Sequence, residues 1–562
     1  MPKKIKKKRM AQKPKGKSGI RTSRLKTPRE LGENGMELHQ EEIAYQMALR
    51  QREISVSEFF TKNRHLLGFD NPKKALLTTV KEAVDNSLDA CEEAKIIPEL
   101  KVAVQQLSED RFKVIVEDNG PGIVKNQIPK IFGKLLYGSK FHTLKQARGQ
   151  QGIGISAAGM YGQLTTGQSV KITSKIGPKK PAHYFEIRVD TQKNTPEVIK
   201  DNEVQWDSPH GTKVEIELEA RHQKGRQSVE NYLEQVSLAN PHVRITYHGP
   251  EGEKSVLARA ANSLPREPKE IKPHPYGVEL GVLMQMLKTT KAKRLRSFLM
   301  QDFSRVGAKV AREVCAKANL PETAYPSRIA REETDKLYQA INTTKIMSPP
   351  TNCLSPIGEE LILAALKKQI KADFYTATTR SPSVYRGNPF HIEVGLAWGG
   401  PRTDGDDGEE APLANLLRFA NRVPLLYQQS ACAITKAVIG TKWRGYGLQQ
   451  ARGALPSGSM TLMVHMVSVW VPFTSESKEA IAHYPEIIKE IKLGLQEVGR
   501  KLHAYLSRRA RIADAEKKKA YIEKYLPHIG IALREILKLN KAQEGKVVRI
   551  LTEILEKSRK ME

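Results

Sequence analysis

A carboxylate residue at the end of a strand, followed by a glycine-rich turn, is suited to binding the exocyclic amine of a flat ring. Asp118-Asn-Gly120-Pro-Gly122 directly follows the apolar strand FKVIVE. Asp118 can accept a hydrogen bond from such an amine, and the glycines let the ring approach the backbone. Many ordinary turns share this pattern, so a purely structural turn remains the alternative for this segment alone.

A second glycine-rich segment is suited to binding phosphate. Gly149-Gln-Gln-Gly152-Ile-Gly154 precedes ISAAGMYG, which is typical of the start of a helix. Closely spaced glycines before a helix N-terminus expose backbone N–H groups and a favourable dipole to an anion. The segment is not a Walker A loop, because no G-K-[ST] follows, and its glycine spacing does not match a Rossmann fingerprint. A flexible surface loop is the alternative.

The third segment is a helix with one polar face. Glu82, Asn86 and Asp89 are spaced i, i+4 and i+7, so they fall on the same side of a helix. Apolar residues, among them Val80 and Val84, occupy the opposite side. The pattern predicts a helix with a core face and a face that presents polar groups, which an ordinary surface helix would also have.

The elements that must position these segments alternate between helix and strand from about residue 53. ALLTTVKEAVDNSLDACEEA (75–94) has helical periodicity. Strands are predicted for KVAVQQL, FKVIVED, VKITSK, HYFEIRVD and TKVEIELE. Together they predict helices layered on one largely antiparallel sheet that ends near residue 250.

The rest of the chain divides by composition. Residues 262–277 are rich in Pro and Lys and predict a linker, and residues 277–345 predict a small, basic, all-α module. The second α/β region includes a predicted strand, MTLMVHMVSVWVPF, and a predicted long amphipathic helix, ESKEAIAHYPEIIKEIKLGLQEVGRKLHAYL. The predicted divisions are a disordered basic tail at 1–29, an α/β domain at 30–255, a helical module at 262–345, an α/β domain at 346–508 and a basic helical tail at 509–562.

Charge is the strongest signal in the composition. The 562 residues carry 92 Lys and Arg against 62 Asp and Glu, a net charge of +30. Thirteen of the basic residues lie in 1–29, so that tail explains less than half of the excess. Such an excess favours a polyanion partner, without separating RNA from DNA. The tail itself fits a DNA-contacting arm, a nuclear-import signal or a solvated segment.

Composition also excludes some classes of protein. No apolar run approaches the ~20 residues that a membrane span requires, and the N-terminus lacks a signal peptide's apolar core, so no membrane association is expected. The four cysteines are scattered without a C-x-x-C pair. A structural zinc site or disulfide framework is therefore not expected, and a reducing, cytoplasmic compartment fits.

Taken in chain order, the three segments resemble the N, G1 and G2 boxes of the GHKL ATPases. This family includes gyrase B, MutL, heat-shock chaperone ATPases and histidine kinases. Thr165-Thr166-Gly167 and His210-Gly211-Thr212 resemble its later boxes. The resemblance implies a Bergerat-type α/β sandwich with ATP and Mg²⁺ as cofactors.

The resemblance also implies a role for each motif residue. Glu82 would be the general base that orients or activates the attacking water, and Asn86 would coordinate Mg²⁺. Asp118 would bind the adenine amine, and Thr212 would support the base through a hydrogen bond. Gly120 and Gly122 would shape the adenine pocket. The segment that we term the lid would close on the γ-phosphate through backbone amides; it comprises Gly149, Gln150, Gln151, Gly152, Ile153 and Gly154.

Longer stretches narrow the resemblance within the GHKL family. Residues 53–100 and 148–168 look closely like topoisomerase VI B subunits. That resemblance implies an α+β multidomain fold: the ATPase domain at 30–255, a helix-two-turns-helix module at 262–345, and a transducer at 346–508 with a long C-terminal helix. It also implies double-stranded DNA as substrate, an A2B2 heterotetramer with a DNA-cleaving A subunit, and a B–B dimer formed on ATP binding. A nucleoid location would follow, or a nuclear one in a eukaryote.

A transducer residue should sense the γ-phosphate. In topoisomerase VI the resemblance places it in a W-K-x-Y motif, which corresponds here to Trp443-Arg444-Gly445-Tyr446. Arg444 stands where the family usually has lysine, and the two side chains are not equivalent. Lys442 is the alternative sensor, and a packing role for both is a third possibility.

The function of the whole protein also has an alternative. The chain could be a non-topoisomerase GHKL protein that acts as a chaperone-like ATPase or as a repair scaffold.

One acidic pair resembles a metal-binding motif. Asp404-Gly-Asp406 forms a D-x-D, but it lies in the Gly/Pro-rich stretch GGPRTDGDDGEEAP without an adjoining apolar strand. A solvated loop is the preferred interpretation.

Overall fold

The computed structural model describes residues 43–140, 143–149, 152–400 and 412–559. The chain separates into two compact units between Ser55 and Val56. In the first unit, residues 43–50 are helical with exposed side chains. All elements named below belong to the second. The tail at 1–29 and the Asp404–Asp406 pair lie outside the described residues.

The predicted helix with one polar face is confirmed. After a short helix α1 (Val56–Lys62), helix α2 runs over Pro72–Glu93. Its start is well defined, because the Asn71 side chain accepts a hydrogen bond from the backbone N–H of Lys74 and Pro72 occupies the first turn. The face opposite the polar residues is buried, with Val80, Val84 and Leu88 fully inaccessible. This face anchors the helix in the largest core.

The first sheet has eight strands. They are β1 (Glu99–Ser108), β2 (Arg111–Asp118), β3 (Val170–Lys175), β4 (Ala182–Asp190), β5 (Thr195–Val204), β6 (Gly211–Glu219), β7 (Arg244–His248) and β8 (Lys254–Leu257). Their order is β5-β4-β3-β6-β2-β1-β7-β8. All pairs are antiparallel except β1 with β7, which confirms the largely antiparallel sheet. Strands β2 and β6 alternate buried with half-buried residues, as expected for a sheet covered on one face.

Helices cover the buried face of this sheet. They are α2, α3 (Ile128–Gly133), α4 (Gly154–Thr166) and α5 (Val229–Ala239). Helix α2 packs on β2, and α4 packs on both α2 and β6. The end of β2, the start of α4 and the polar face of α2 are thereby brought to the same region.

Four further helices have a core of their own. They are α6 (Leu280–Thr289), α7 (Leu295–Asp302), α8 (Ala308–Lys317) and α9 (Arg331–Thr343). Phe298, Leu295 and Leu337 are fully buried in this core. The segment is all-helical, as its sequence predicts.

A second sheet begins after helix α10 (Glu359–Gln369). Its strands are β9 (Phe374–Thr379), β10 (Ser383–Tyr385), β11 (Asn388–Trp398), β12 (Asn415–Ala420), β13 (Val423–Pro424) and β16 (Met460–Ser468), in the order β10-β11-β16-β12-β13 with β9 beside β11. The short strands β14 (Gln449–Gln450) and β15 (Pro456–Ser457) form a separate pair. Helix α11 (Ala433–Ile439) and the first part of α12 (Pro485–Leu537) complete the core.

The predicted long helix is present, but its predicted start is wrong. Residues 476–484 precede the helix, which begins at Pro485, the residue type favoured in a first helical turn. Helix α12 continues to Leu537, across the predicted division at 508, and α13 (Lys541–Arg559) follows it. Among the described residues, no helix is both long and apolar enough to cross a membrane.

Two helical glycines allow a test of how close packing affects stability, because alanine favours a helix but its Cβ needs space. A Cβ at Gly162 would lie 2.5 Å from the backbone oxygen of Glu217 in β6. We expect Gly162→Ala to destabilise the protein by about 1–3 kcal/mol through overpacking. Gly545 in α13 has open space around it. Gly545→Ala should therefore raise helix stability by about 0.5–1 kcal/mol. Thermal unfolding followed by circular dichroism measures both; an equal effect of the two substitutions would contradict the steric argument.

Candidate active site

The three glycine- and carboxylate-bearing segments meet around one cavity of about 560 Å³. Its volume lies in the range of small-molecule sites. The predicted residues that line it are Glu82, Asn86, Asp118, Gly122, Gly149, Gly152, Ile153, Gly154 and Thr212. Gly120 contacts the site through its backbone N–H, which donates to Asp118. Gln150 and Gln151 lie outside the described residues.

Asp118 ends β2 at the floor of this cavity and is 7% exposed. Its Oδ1 accepts from the backbone N–H groups of Gly120 at 2.9 Å and Thr212 at 3.1 Å. Its Oδ2 accepts from the Ser87 hydroxyl at 2.9 Å. Burial raises the pKa of Asp118, against the opposing effect of these hydrogen bonds. Oδ2 retains a second lone pair, so the carboxylate can accept one more donor from the cavity.

Glu82 and the start of α4 are in close contact. A Cβ on Gly154 would overlap the Glu82 carboxylate, so any larger residue where α4 begins would displace that carboxylate. One turn along α2, Asn86 Oδ1 lies 3.7 Å from the position that a Cβ on Gly149 would occupy. The carboxylate, the amide and the glycine-rich segment therefore lie together at the cavity.

A lysine from the second α/β region also lines the cavity. Lys478 is 6% exposed and has a left-handed backbone (φ 53°), which is uncommon outside glycine. Its Nζ donates to the backbone oxygen of Arg148 at 2.9 Å. The surrounding loop is docked on α2, because Lys81 Nζ donates to the Ser477 oxygen at 3.0 Å and Lys74 pairs with Glu479.

The predicted sensor residues lie elsewhere. Lys442 and Arg444 are exposed, and neither lines the cavity. Arg444 Nη2 donates to the Gln450 oxygen at 3.0 Å. Trp443 is the buried residue of this short helical turn, and its indole N–H donates to the Val438 oxygen at 2.9 Å. Because Trp443 faces the core, its neighbours on both sides face solvent. The structure therefore does not bring Arg444 or Lys442 to the cavity.

The polar face of α2 continues into a buried ion-pair network. Arg148, whose side chain is 4% exposed, donates from Nη1 to Asp89 at 2.8 Å and from Nη2 to Glu92 at 2.6 Å. Lys140 Nζ lies 2.7 Å from Asp89 Oδ2 and 2.9 Å from Glu93 Oε1. Burial opposes both cations, but the neighbouring carboxylates raise the pKa of Lys140 and of Arg148. Lys140 and Arg148, eight positions apart in the chain, are therefore both held against α2.

Sequence reasoning did not identify Lys140, Arg148 or Lys478. Arg148 directly precedes the glycine-rich segment, and acidic residues at 89 and 92 share a helical face, so their pairing had a local signal. Lys478 had none, because the loop that carries it is distant in the chain: Lys81 and Ser477, which are in contact, are 396 positions apart.

Comparison with protein families defines the class. Residues 71–222 match the model of the histidine kinase-, DNA gyrase B- and HSP90-like ATPases, and residues 349–518 match that of the topoisomerase VI B subunit transducer. The chain thus joins a GHKL-type ATP-binding domain, which contains the cavity, to a topoisomerase VI transducer, which contributes Lys478.

Individual relatives narrow the class to one family. The B subunit of type 2 DNA topoisomerase 6 from Methanococcoides burtonii is 52% identical, over 88% of this chain and 79% of that one. The B subunit of Methanosarcina barkeri is 50% identical, over 88% of this chain and 79% of that one. The B subunit of Archaeoglobus fulgidus is 48% identical, over 89% of this chain and 82% of that one. This chain belongs to the family of type 2 DNA topoisomerase 6 B subunits. It is the ATPase B subunit of a type IIB topoisomerase, as its sequence indicated.

A solved structure gives a more distant match. The B-subunit of the DNA gyrase from Myxococcus xanthus is 12% identical with a TM-score of 0.38, over 80% of this chain and 95% of that one.

The free lone pair of Asp118 leads to a prediction about nucleotide affinity. Asp118→Asn replaces one acceptor oxygen with a donor that would face the adenine amine. We expect ATP binding to weaken by about 1.5–3 kcal/mol, typical of a hydrogen bond to a charged group. Isothermal titration measures this loss.

A second strand-terminating aspartate provides the control. Asp190 ends β4 and accepts from the backbone N–H groups of Gln192 at 2.9 Å and Lys193 at 3.1 Å, away from the cavity. Asp190→Asn should leave ATP affinity unchanged. Unchanged affinity in Asp118→Asn as well would mean that this carboxylate only organises its turn.

Proposed function

We propose that Glu82 is the general base for ATP hydrolysis. Its carboxylate lies beside the N-terminus of α4, at the end of the cavity where the glycine-rich segment can bind phosphates. A positioned carboxylate at this point can orient a water for in-line attack and accept its proton. The contact between Glu82 and Gly154 is the observation that carries this assignment.

Asn86 is proposed to hold Mg²⁺ together with the nucleotide phosphates. Its side-chain oxygen is a hard donor that lines the same end of the cavity as Glu82. Mg²⁺ is commonly bound through one or two protein oxygens plus phosphates and water, so an acidic cage is not required. Within the described ranges, no cluster of three metal-ligating side chains competes with this assignment. The bound ion would neutralise charge on the β- and γ-phosphates.

The part of the cavity around Asp118 is proposed to bind adenine. Asp118 offers its remaining lone pair to the amine. Gly120 and Gly122 shape the turn beside it, since a Cβ on Gly120 would crowd Asp118 Oδ1 and one on Gly122 would overlap the Lys175 backbone oxygen. Thr212 supports the pocket, because its backbone N–H fixes Asp118 and its hydroxyl pairs with Ser174 at 3.1 Å. The lid, from Gly149 to Gly154, would then bind the γ-phosphate through backbone amides.

The γ-phosphate sensor is proposed to be Lys478, rather than Arg444 or Lys442. Its ammonium is buried in the cavity, where it donates to a neutral acceptor, the backbone oxygen of Arg148. A γ-phosphate is a stronger partner for an ammonium than a neutral carbonyl, so ATP can draw Lys478 away. Because Lys478 belongs to the transducer, this exchange would report nucleotide state to the second α/β region.

At the level of the whole assembly, we propose that ATP closes a B–B dimer and thereby gates passage of one DNA duplex through another. The A subunit of an A2B2 heterotetramer would cut the DNA, and the net charge of +30 favours the DNA contact. A protein that acts on chromosomal DNA would be located at the nucleoid, or in the nucleus if the source is eukaryotic. The direct test is copurification with a candidate A subunit, followed by ATP-dependent relaxation of supercoiled plasmid. A chaperone-like or repair-scaffold ATPase would neither bind an A subunit nor relax DNA.

The role of Glu82 predicts that binding and hydrolysis separate. Glu82→Gln should reduce hydrolysis by at least ~10²-fold, because a general base typically contributes about 10²–10⁴. It should still bind a non-hydrolysable ATP analogue with Mg²⁺ and form the B–B dimer, as measured by light scattering. Glu313→Gln removes an exposed helical glutamate that pairs with Lys317 and should change neither property. Hydrolysis within a few-fold of wild type would remove Glu82 from the role.

The sensor assignment predicts that substitution of Lys478 affects turnover, whereas substitution of Arg444 or Lys442 does not. Lys478→Ala should lower kcat by about 10²–10³-fold, as expected for loss of one group that stabilises transition-state charge. Arg444→Ala and Lys442→Ala should retain normal turnover, since neither side chain lines the cavity. ADP affinity, which requires no γ-phosphate contact, is the control for an intact site. Normal turnover in Lys478→Ala with loss in Arg444→Ala would return the role to the W-R-G-Y segment.

A further inference from the structure

The turn between β12 and β13 is conformationally unusual. Ala420 pairs with Val423, so the loop consists of only Asn421 and Arg422. Both residues have left-handed backbones, with φ 45° and 67°. Two-residue hairpins of this kind favour Asn-Gly, because a side chain at the second position is strained. Arginine in place of glycine therefore carries a conformational cost that its side-chain contacts must offset.

The tip of this turn contacts the segment that leads into the lid. Asn421 Nδ2 donates to the backbone oxygen of Ala147 at 3.2 Å. Arg422 is 5% exposed, and its Nη1 lies 3.9 Å from Glu92 Oε1, the carboxylate oxygen that also accepts from Arg148. We term Ala147–Gly149 the lid root. The transducer thus makes a second contact with the lid root: Asn421 binds the backbone oxygen of Ala147, whereas Lys478 binds that of Arg148.

The turn is anchored firmly on its transducer side. The backbone N–H of Arg422 donates to His465 Nε2 at 2.8 Å, and His465 Nδ1 pairs with Glu393 Oε2 at 2.8 Å. Because Nε2 accepts, the proton resides on Nδ1, which donates to the carboxylate. His465 in β16 and Glu393 in β11 are both fully buried. Arg422 Nη2 also donates to the Ser355 oxygen at 3.2 Å.

The lid root is held equally closely on its ATPase side. Arg148 is bonded to Asp89 and Glu92 of α2, and its Nη2 also donates to Asn240 Oδ1 at 2.5 Å. The next residue is Gly149, beside Asn86. Displacement of Arg422 would therefore act on Glu92, then on Arg148, and through the backbone on Gly149.

We propose that the Asn421–Arg422 turn is a positioning element for ATP hydrolysis, which sets the lid root against α2 and couples the transducer sheet to the phosphate end of the site. The inference rests on the proposed lid and deepens it. Arg422 is a positioning residue, since it touches Glu92 and the Ser355 backbone rather than nucleotide. Its left-handed backbone disfavours an arginine in the turn, so the contacts of its buried guanidinium account for this residue better than the turn itself does.

Arg422→Gly tests the proposal, because it relieves the backbone strain while removing the guanidinium. In the full chain, affinity for a non-hydrolysable ATP analogue and kcat should each fall about ten-fold, within the range typical of coupling between sites, while ADP affinity changes less than about two-fold. Arg422→Lys, which keeps the charge but not the forked donor, should lie between Arg422→Gly and wild type.

A matched control lies in the same sheet. The β10–β11 hairpin also has a two-residue loop, Arg386-Gly387, with Arg386 at φ 44° and its side chain largely exposed. Arg386→Gly likewise replaces an arginine that has a left-handed backbone, although at the first loop position, and it lies away from the lid root. It should leave ADP affinity, analogue affinity and kcat unchanged.

Two outcomes would overturn the proposal. Analogue affinity and kcat equal to wild type in a folded Arg422→Gly protein would show that the turn does not position the lid root. An equal fall in ADP and analogue affinity would show a general structural role. If Arg422→Gly does not fold, the same measurements on Arg422→Lys, compared with wild type in the same way, decide the proposal. Failure of the wild-type chain itself to bind or hydrolyse ATP would instead contradict the proposed function.

Discussion

The pairing of Arg148 with Asp89 and Glu92 is the interaction on which the site's geometry depends. All three side chains are largely buried, so each charge must be compensated locally or it would strongly destabilise the fold. The pairing joins the far half of α2 to the residue before Gly149. The backbone oxygen of Arg148 also receives Lys478, and Glu92 also lies near Arg422. One arginine therefore links helix α2, the lid root and the transducer.

Helix α2 acts as the rigid reference for these contacts. Its apolar face is fixed in the largest core, whereas its polar face presents Glu82 and Asn86 to the cavity and the later carboxylates to the ion-pair network. Lys81 and Lys74 bind the transducer loop along the same helix. Water positioning, metal binding and transducer docking can thus share a single element, because successive helical turns separate them without flexible connections.

Sequence reasoning recovered the parts of this arrangement that have a local signal. The periodicity of α2 and the alternation of β1, β2, β3, β4 and β6 predicted those elements. Strand β5 was missed because it is an edge strand with most residues exposed, which removes the alternation. The start of α12 was misplaced because residues 476–484 have helix-like composition but dock on α2 as a loop. Lys478 lies in the segment that the sequence assigns to the helix, so sequence reasoning does not identify it as a site residue. Its position depends on the docking of the loop rather than on any short-range motif.

Two parts of the transducer contact the lid root: Lys478, which lines the cavity together with Glu476, and the Asn421–Arg422 turn. A single contact could be lost or formed by local motion of one loop. Two contacts on the same short segment, one on the backbone oxygen of Arg148 and one on that of Ala147, constrain its orientation as well as its position. Rigid-body movement of the transducer would disturb both contacts together, so the placement of Ala147 and Arg148 is tied to that of the transducer.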